Sequence, residues 1–224
     1  MKALITFILA ISTAASFSAQ ANIFNEAYRF TKFMDKITTP KGQFTYGDID
    51  GNAYYNTSFL AANIENANAV INIRYNKYTD TVEILKDGNI YVLPKTEKYA
   101  RIAFVNSPEI LVYLNSGAME GYYFEFIPGK YRLLKKLKTE FRPEVPAVNS
   151  FTSTVPPRFE NINPVYYFEI NNQYVKVPKN SKDLANLFGE QQAEITTFIK
   201  SNKLKINQEM DLIRLAQFIN KYFF

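Results

Sequence analysis

Between Tyr54 and Val177 the chain repeats one pattern: short runs rich in Val, Ile, Tyr and Phe, separated by Asn, Asp, Gly and Pro. That alternation predicts an antiparallel sheet built from hairpins. Val70–Tyr75, Thr81–Leu85 and Asn89–Leu93 form the clearest set. Asp87-Gly88 supplies the tight turn, because both central residues of such a hairpin need positive φ. Further strands are expected over Tyr99–Val105, Glu109–Leu114, Gly121–Ile127 and Tyr131–Phe141, with Pro128-Gly129 turning the chain between the last two. Pro143, Pro146, Pro156, Pro157 and Pro164 then interrupt any ladder, so residues 143–164 read as an extended linker or a strap across the sheet. A last hairpin follows, Val165–Ile170 and Gln173–Val177, turning at Asn171-Asn172.

At Pro178 the hydrophobic period changes from two to about 3.6. Ser181 is placed to cap a helix over Lys182–Phe188, and Gly189 ends it. Glu190–Asn202 offers Ala193, Ile195, Phe198 and Ile199 to a core. Asn207 is placed to cap a third helix from Gln208 to about Lys221, with Leu212, Ile213, Ala216 and Ile219 as its apolar stripe. Upstream, residues 22–39 carry a weakly helical spacing, and Thr39–Asn52 reads as a loop or a short strand between turns. The fold class is therefore α+β: an antiparallel β-sheet of about eight strands built from hairpins, followed by three short C-terminal helices. Residues 22–178 form the β-rich region, and residues 179–224 form a helical region packing on or beside the sheet.

Residues 1–21 have the three parts of a secretory signal peptide: Lys2, an apolar run over Ala3–Ala15, and a small polar stretch ending Ala19-Gln20-Ala21. Cleavage after Ala21 is expected. An apolar run of about 13 residues is too short to cross a bilayer core, which needs about 20. No later stretch is long and apolar enough to span, so the mature chain is expected to have no transmembrane segment.

Composition then narrows the chemistry. The 224 residues include no Cys, no His and no Trp, but 16 Tyr and 19 Phe, and the formal net charge is +5. Without Cys there is no disulfide, no thiol nucleophile and no lipidated N-terminal Cys, so the expected product is not a lipoprotein. Without His there is no Ser-His-Asp triad and no imidazole ligand for a metal. No mature-chain Ser is followed three residues later by Lys, and the Gly-x-Ser-x-Gly, Walker A and dinucleotide patterns are absent. Gly47–Asn52 resembles the start of a calcium loop. Position 12 counted from Asp48 is Phe59, however, which cannot ligate, so the segment reads as a turn. No cofactor and no metal are expected.

Carboxylates are the acid–base groups that remain. Glu83, Glu125 and Glu169 each fall inside an expected strand and are the catalytic candidates if the protein is a carboxylate-dependent glycan-acting enzyme. The competing expectation is a solvated strand face with basic residues opposite. Tyr122-Tyr123-Phe124-Glu125 and Tyr166-Tyr167-Phe168-Glu169 look alike, 44 residues apart, as a duplicated hairpin would. Tyr122, Tyr123, Tyr166 and Tyr167 are then candidate exposed platforms for a ligand. Basic runs at Tyr131–Lys138 and at Lys200, Lys203 and Lys205 offer a surface for an anionic glycan or nucleic acid; expected export argues against nucleic acid, Glu140, Glu144 and Glu160 dilute any field, and a solvated strand face is the competing expectation. The terminal Phe and Tyr222 suggest the last strand of a small outer-membrane β-barrel, an alternative that the helical stripe before them opposes.

The order of short motifs resembles a group of exported proteins of unknown function from Gram-negative bacteria. It runs through Arg74-Tyr75-Asn76 with Tyr78, Asp80 and Glu83, then Gly121-Tyr122 with Phe124-Glu125, then Leu133-Leu134-Lys135-Lys136. It continues with Lys182-Asp183-Leu184, Leu187-Phe188, Phe198-Ile199-Lys200, Asn202–Lys205 and Asp211-Leu212-Ile213. The resemblance covers most of the mature chain and implies an address and an architecture, with no site residues. Together these readings predict an exported, non-enzymatic binding or interaction module of the cell envelope. It would be periplasmic, secreted or surface-associated, and would take a protein or glycan partner through its sheet and hairpin tips.

Overall fold

A computed structural model describes residues 23–29, 35–40, 42–67 and 69–223. The expected signal peptide lies outside the described residues. Two compact units make up the chain. Unit 1 takes in the described residues up to Pro108 with Tyr113–Tyr122 and Leu137–Asn163; unit 2 takes in Glu109–Val112, Tyr123–Lys136 and Pro164 onward.

The hairpin expectation holds: the chain is mostly antiparallel strand, with short helices at its C-terminal end. The strand count does not hold, since thirteen strands occur among the described residues where about eight were expected. In unit 1, β1 (Tyr28–Arg29), β4 (Leu60–Ile64), β5 (Val70–Asn76), β6 (Thr81–Lys86), β7 (Asn89–Val92) and β8 (Arg101–Phe104) lie side by side in the order β1-β7-β6-β5-β4-β8. β2 (Lys36–Thr39) and β3 (Gly42–Thr45) form a separate hairpin with Thr39 opposite Gly42. Of the weak helix expected over residues 22–39, the described residues show helix at 23–26, while the β-branched run Ile37-Thr38-Thr39 pairs as strand. The sequence of β4, LAANI, has little intrinsic strand preference and does not predict a strand. It is a strand because β5 and β8 pair with it on either side.

Asp87-Gly88 turns β6 into β7 with φ of 49° and 72°, and Asn171-Asn172 turns the last hairpin with φ of 52° and 59°. Both are the primed geometry the residue types suggested. Gly51 stands where the backbone of Phe159 comes so close that a Cβ would lie 2.5 Å from the carbonyl oxygen. Asp48, in the segment that resembled a calcium loop, is occupied by its own turn, accepting from the Thr45 N–H at 2.9 Å and hydroxyl at 2.6 Å.

The remaining strands are β9 (Ile110–Leu114), β10 (Gly121–Ile127), β11 (Leu133–Arg142), β12 (Arg158–Ile170) and β13 (Gln173–Lys176). β12 corrects the strap: the strand begins at Arg158 and runs through Pro164. Its pairing with β13 begins only at Tyr167, so on that side the missing Pro164 N–H breaks no ladder bond. In unit 2, β10 pairs with β11 through a register irregularity between Glu125 and Ile127. Helices α1 (Ser181–Asn186), α2 (Gln192–Ser201) and α3 (Glu209–Tyr222) complete the unit.

The cap of α1 is Asn180, one residue before the expected Ser181, and its side chain accepts from the Asp183 N–H. Leu212, Leu215, Ala216 and Ile219 of α3 are buried with Ile195 and Ile199 of α2, Leu184 and Phe188, and with Leu133 and Phe168 of the hairpins. The helices therefore share one core with strands of unit 2. Asn220 of α3 fastens that core by acting as a strand edge would: it accepts from the Tyr131 N–H at 3.1 Å and donates to the Tyr131 carbonyl at 2.9 Å. A Cβ on Gly129 would lie 2.7 Å from the same Asn220 side chain, and Gly129 has φ +125°, so this turn has room only for glycine. The helix over Glu209–Tyr222 also occupies the place where a barrel would need its last strand. No helix among the described residues is long and apolar enough to cross a membrane.

Candidate functional site

The three strand carboxylates do not face solvent; two of them lie within 4% exposure and each is held by an arginine. Register places Arg74 of β5 opposite Glu83 of β6. The fully buried Glu83 accepts from Arg74 Nε at 3.1 Å and Nη2 at 2.6 Å, and from Asn76 at 3.4 Å. The guanidinium lies 3.6 Å over the Tyr54 ring and 4.6 Å over Phe59, and also donates to the Thr57 carbonyl. Rings on its face and a carboxylate at its edge surround a cation of which only 16% stays exposed. The surrounding hydroxyls feel the same seclusion. Burial pushes the Tyr46 hydroxyl up to about 12, and burial with the Glu83 charge raises Tyr54 further.

In unit 2, Arg132 stands just before β11 and reaches two carboxylates. Its Nε donates to Glu125 at 2.7 Å and its Nη1 to Glu169 at 2.9 Å, while its carbonyl accepts the Glu169 N–H. Glu125 is 4% exposed. Burial works against the Arg132 charge, and the two carboxylates more than offset it, so its pKa lies above the ordinary value. The two similar segments thus deliver corresponding glutamates to one arginine. A glycosidase pair flanks the substrate bond across an open space; here a guanidinium occupies the space between the two carboxylates.

The tyrosines expected as platforms are placed otherwise. Tyr122 is fully buried and Tyr123 nearly so, which corrects the expectation that they are exposed. Tyr122 packs edge-on against Tyr75 and tilted against Tyr113, and its N–H donates to Asp80. Tyr123 meets Tyr167 edge-on at 5.8 Å and carries the Lys136 ammonium 4.7 Å above its ring. Half-buried Tyr166 donates to Glu209 at 2.8 Å, beside the Lys135–Glu209 ion pair at 2.6 Å, and so ties β12 to the first turn of α3. Burial and Glu209 both raise the Tyr166 pKa. Aromatic strands before turns are a core signal as often as a surface one, and here the core took most of them.

The concave surface with aromatic lining lies instead between α2 and α3. A groove of about 470 Å³ is lined by Phe198 and Phe218, with Ala193, Thr197 and Asn202 at its sides and Glu194 as its one carboxylate. Phe198 and Phe218 stack face to face, centroids 3.9 Å apart and planes within 7°. Tyr222 and Phe223 continue the cluster from Phe218. Phe198, expected in a core, packs half-buried against the edge of the unit 2 core, while Ala193, expected there too, is exposed. The signal that separates them was present: Ile195 and Ile199 define the buried line of α2, and Phe198 falls one residue off it, as Phe218 does beside Ile219 on α3.

No protein-family model, curated protein or solved structure matches the chain.

Proposed function

We propose that the chain is an exported, non-enzymatic binding module of the cell envelope. Its partner, protein or glycan, would lie on the aromatic groove between α2 and α3 rather than on the sheet. The observation that carries the reading is the half-exposed Phe198–Phe218 stack at the floor of that groove. Flat apolar rings with polar neighbours suit the apolar face of a sugar or an aromatic side chain of a peptide. The arginine partners of Glu83, Glu125 and Glu169 support a structural role for all three. The signal-peptide pattern and the resemblance to exported Gram-negative proteins support the address.

Mature protein beginning at Asn22 should bind a component of a panel of envelope polysaccharides, peptidoglycan and peptides in calorimetry. Phe198→Ala and Phe218→Ala should each weaken that binding about tenfold or more while leaving the fold intact. Hydrolysis of a polysaccharide by the wild-type protein, lost in Glu125→Gln or Glu169→Gln, would overturn the reading. Cell fractionation with mass measurement of the N-terminus checks the address: cytoplasmic protein still carrying Met1 would contradict it.

A further inference from the structure

A second cavity in unit 2, of about 310 Å³, lies between α1 and α2 and is lined by Ser181, Lys182, Gln192, Thr196, Ile199 and Lys200. Five of these six side chains are hydrogen-bond donors, two of them cationic. None of the five makes a side-chain hydrogen bond or ion pair among the described residues, so their donors are open to a ligand. The sixth, Ile199, is buried and floors the cavity.

The acidic residues nearby do not line it. Asp183 is turned back onto the cap, accepting from the Asn180 amide at 2.6 Å and hydrogen-bonded into the α1 start. Glu194 lines the neighbouring aromatic groove. A concave site with two ammoniums, two hydroxyls, an amide and no carboxylate in its lining has its donors in place for an anion.

We infer that this cavity is an anion site. It takes a carboxylate or phosphate group, and its volume, at the lower end of the range for small-molecule pockets, admits the sugar that would carry one. The inference goes beyond the aromatic groove and concerns different residues, so the two stand or fall separately. Ser181, Lys182, Gln192 and Lys200 are exposed and hold no other part of the fold, so their replacement tests binding without disturbing packing.

The test is a titration of the ¹⁵N-labelled mature protein, followed by amide shifts, with inorganic phosphate, glucuronate, glucose 6-phosphate and glucose. The expected result is saturable shifts within residues 181–200 for the anions and none for glucose. Lys182→Gln/Lys200→Gln should weaken the anions about tenfold or more, the loss of a charge-assisted hydrogen bond, with an unchanged circular dichroism melt. Phe198→Ala should leave them unchanged. Equal response to phosphate and glucose 6-phosphate assigns the site to the bare ion; a tighter sugar phosphate or uronate assigns it to the sugar-borne group. Failure of all three anions to shift these amides overturns the inference, as does equal binding of glucose or undiminished binding by the double variant.

Discussion

Two half-buried arginines, one in each unit, each hold a buried glutamate by different means. Arg74 has a single carboxylate, Glu83, directly opposite it in a hairpin, and the Tyr54 and Phe59 rings complete its surroundings. Arg132 has two carboxylates, Glu125 from its own hairpin and Glu169 from another, and among the described residues no ring lies over its guanidinium. The first is a local pair, sealed by aromatic packing so completely that Glu83 is fully buried. The second joins segments 37 residues apart, Arg132 and Glu169; its arginine is 22% exposed against 16% for Arg74, and its second carboxylate, Glu169, is 17% exposed. Isolated charges are costly to bury, and a local pair can be buried deeply because one turn sets its geometry. A triad assembled across hairpins leaves its second carboxylate partly exposed and serves to tie strands together.

Removing the cation of each site should separate the two most sharply. Arg74→Ala strands a carboxylate with no route to water and should cost about 3–5 kcal/mol of stability by urea unfolding. Arg74→Met/Glu83→Leu, which replaces the pair by apolar groups, should recover most of that loss. A double variant no more stable than Arg74→Ala would show that ring packing, not the ion pair, matters there.

In unit 2 the loss should be divided. Glu125→Gln should cost about 1.5–3 kcal/mol and the more exposed Glu169→Gln less, because Arg132 retains one carboxylate in either variant. The double replacement should exceed the sum of the two, as groups sharing one partner are coupled. Strict additivity in the unfolding midpoints would break the description of a shared site.

The smallest effect at neutral pH becomes visible in alkali. Tyr46 and Tyr54 beside the unit 1 pair, and Tyr166 in unit 2, have raised pKa values, burial being the leading cause. An acid with a raised folded pKa binds its proton longer in the folded than in the unfolded chain. Its contribution is therefore fully present below the ordinary value of 10.0 and is lost as pH rises through the folded value, about 12 for Tyr46. Stability should decline over that window, and tyrosinate absorbance should develop in part only as the protein unfolds. Tyr46→Phe should flatten the decline, and a titration complete at the ordinary value with the fold intact would contradict the seclusion inferred for these rings.

Particular elements show how far the amino-acid pattern carries. Asp87-Gly88 and Asn171-Asn172 were readable as turns because their geometry depends on the φ preferences of two adjacent residues. The strands over Val70–Lys86 and the stripe of α3 were readable because period alone distinguishes them. β4 was not, since Leu-Ala-Ala-Asn-Ile becomes a strand through its neighbours. Nor were the surroundings of Glu83, Glu125 and Glu169, because alternation along a strand says which residues share a face and nothing about which face is covered.

By itself, then, the sequence determined the antiparallel hairpins, the helical end and the absence of thiol and imidazole chemistry, all of them set by neighbouring residues or by composition. Only the tertiary structure decided that the strand carboxylates are arginine-held, that Tyr122 and Tyr123 are core, and that Phe198 and the lysines of α1 and α2 line the concave surfaces. Burial and partnership are properties of chain segments brought together from a distance, and the periods of a strand or a helix do not encode which segments those are.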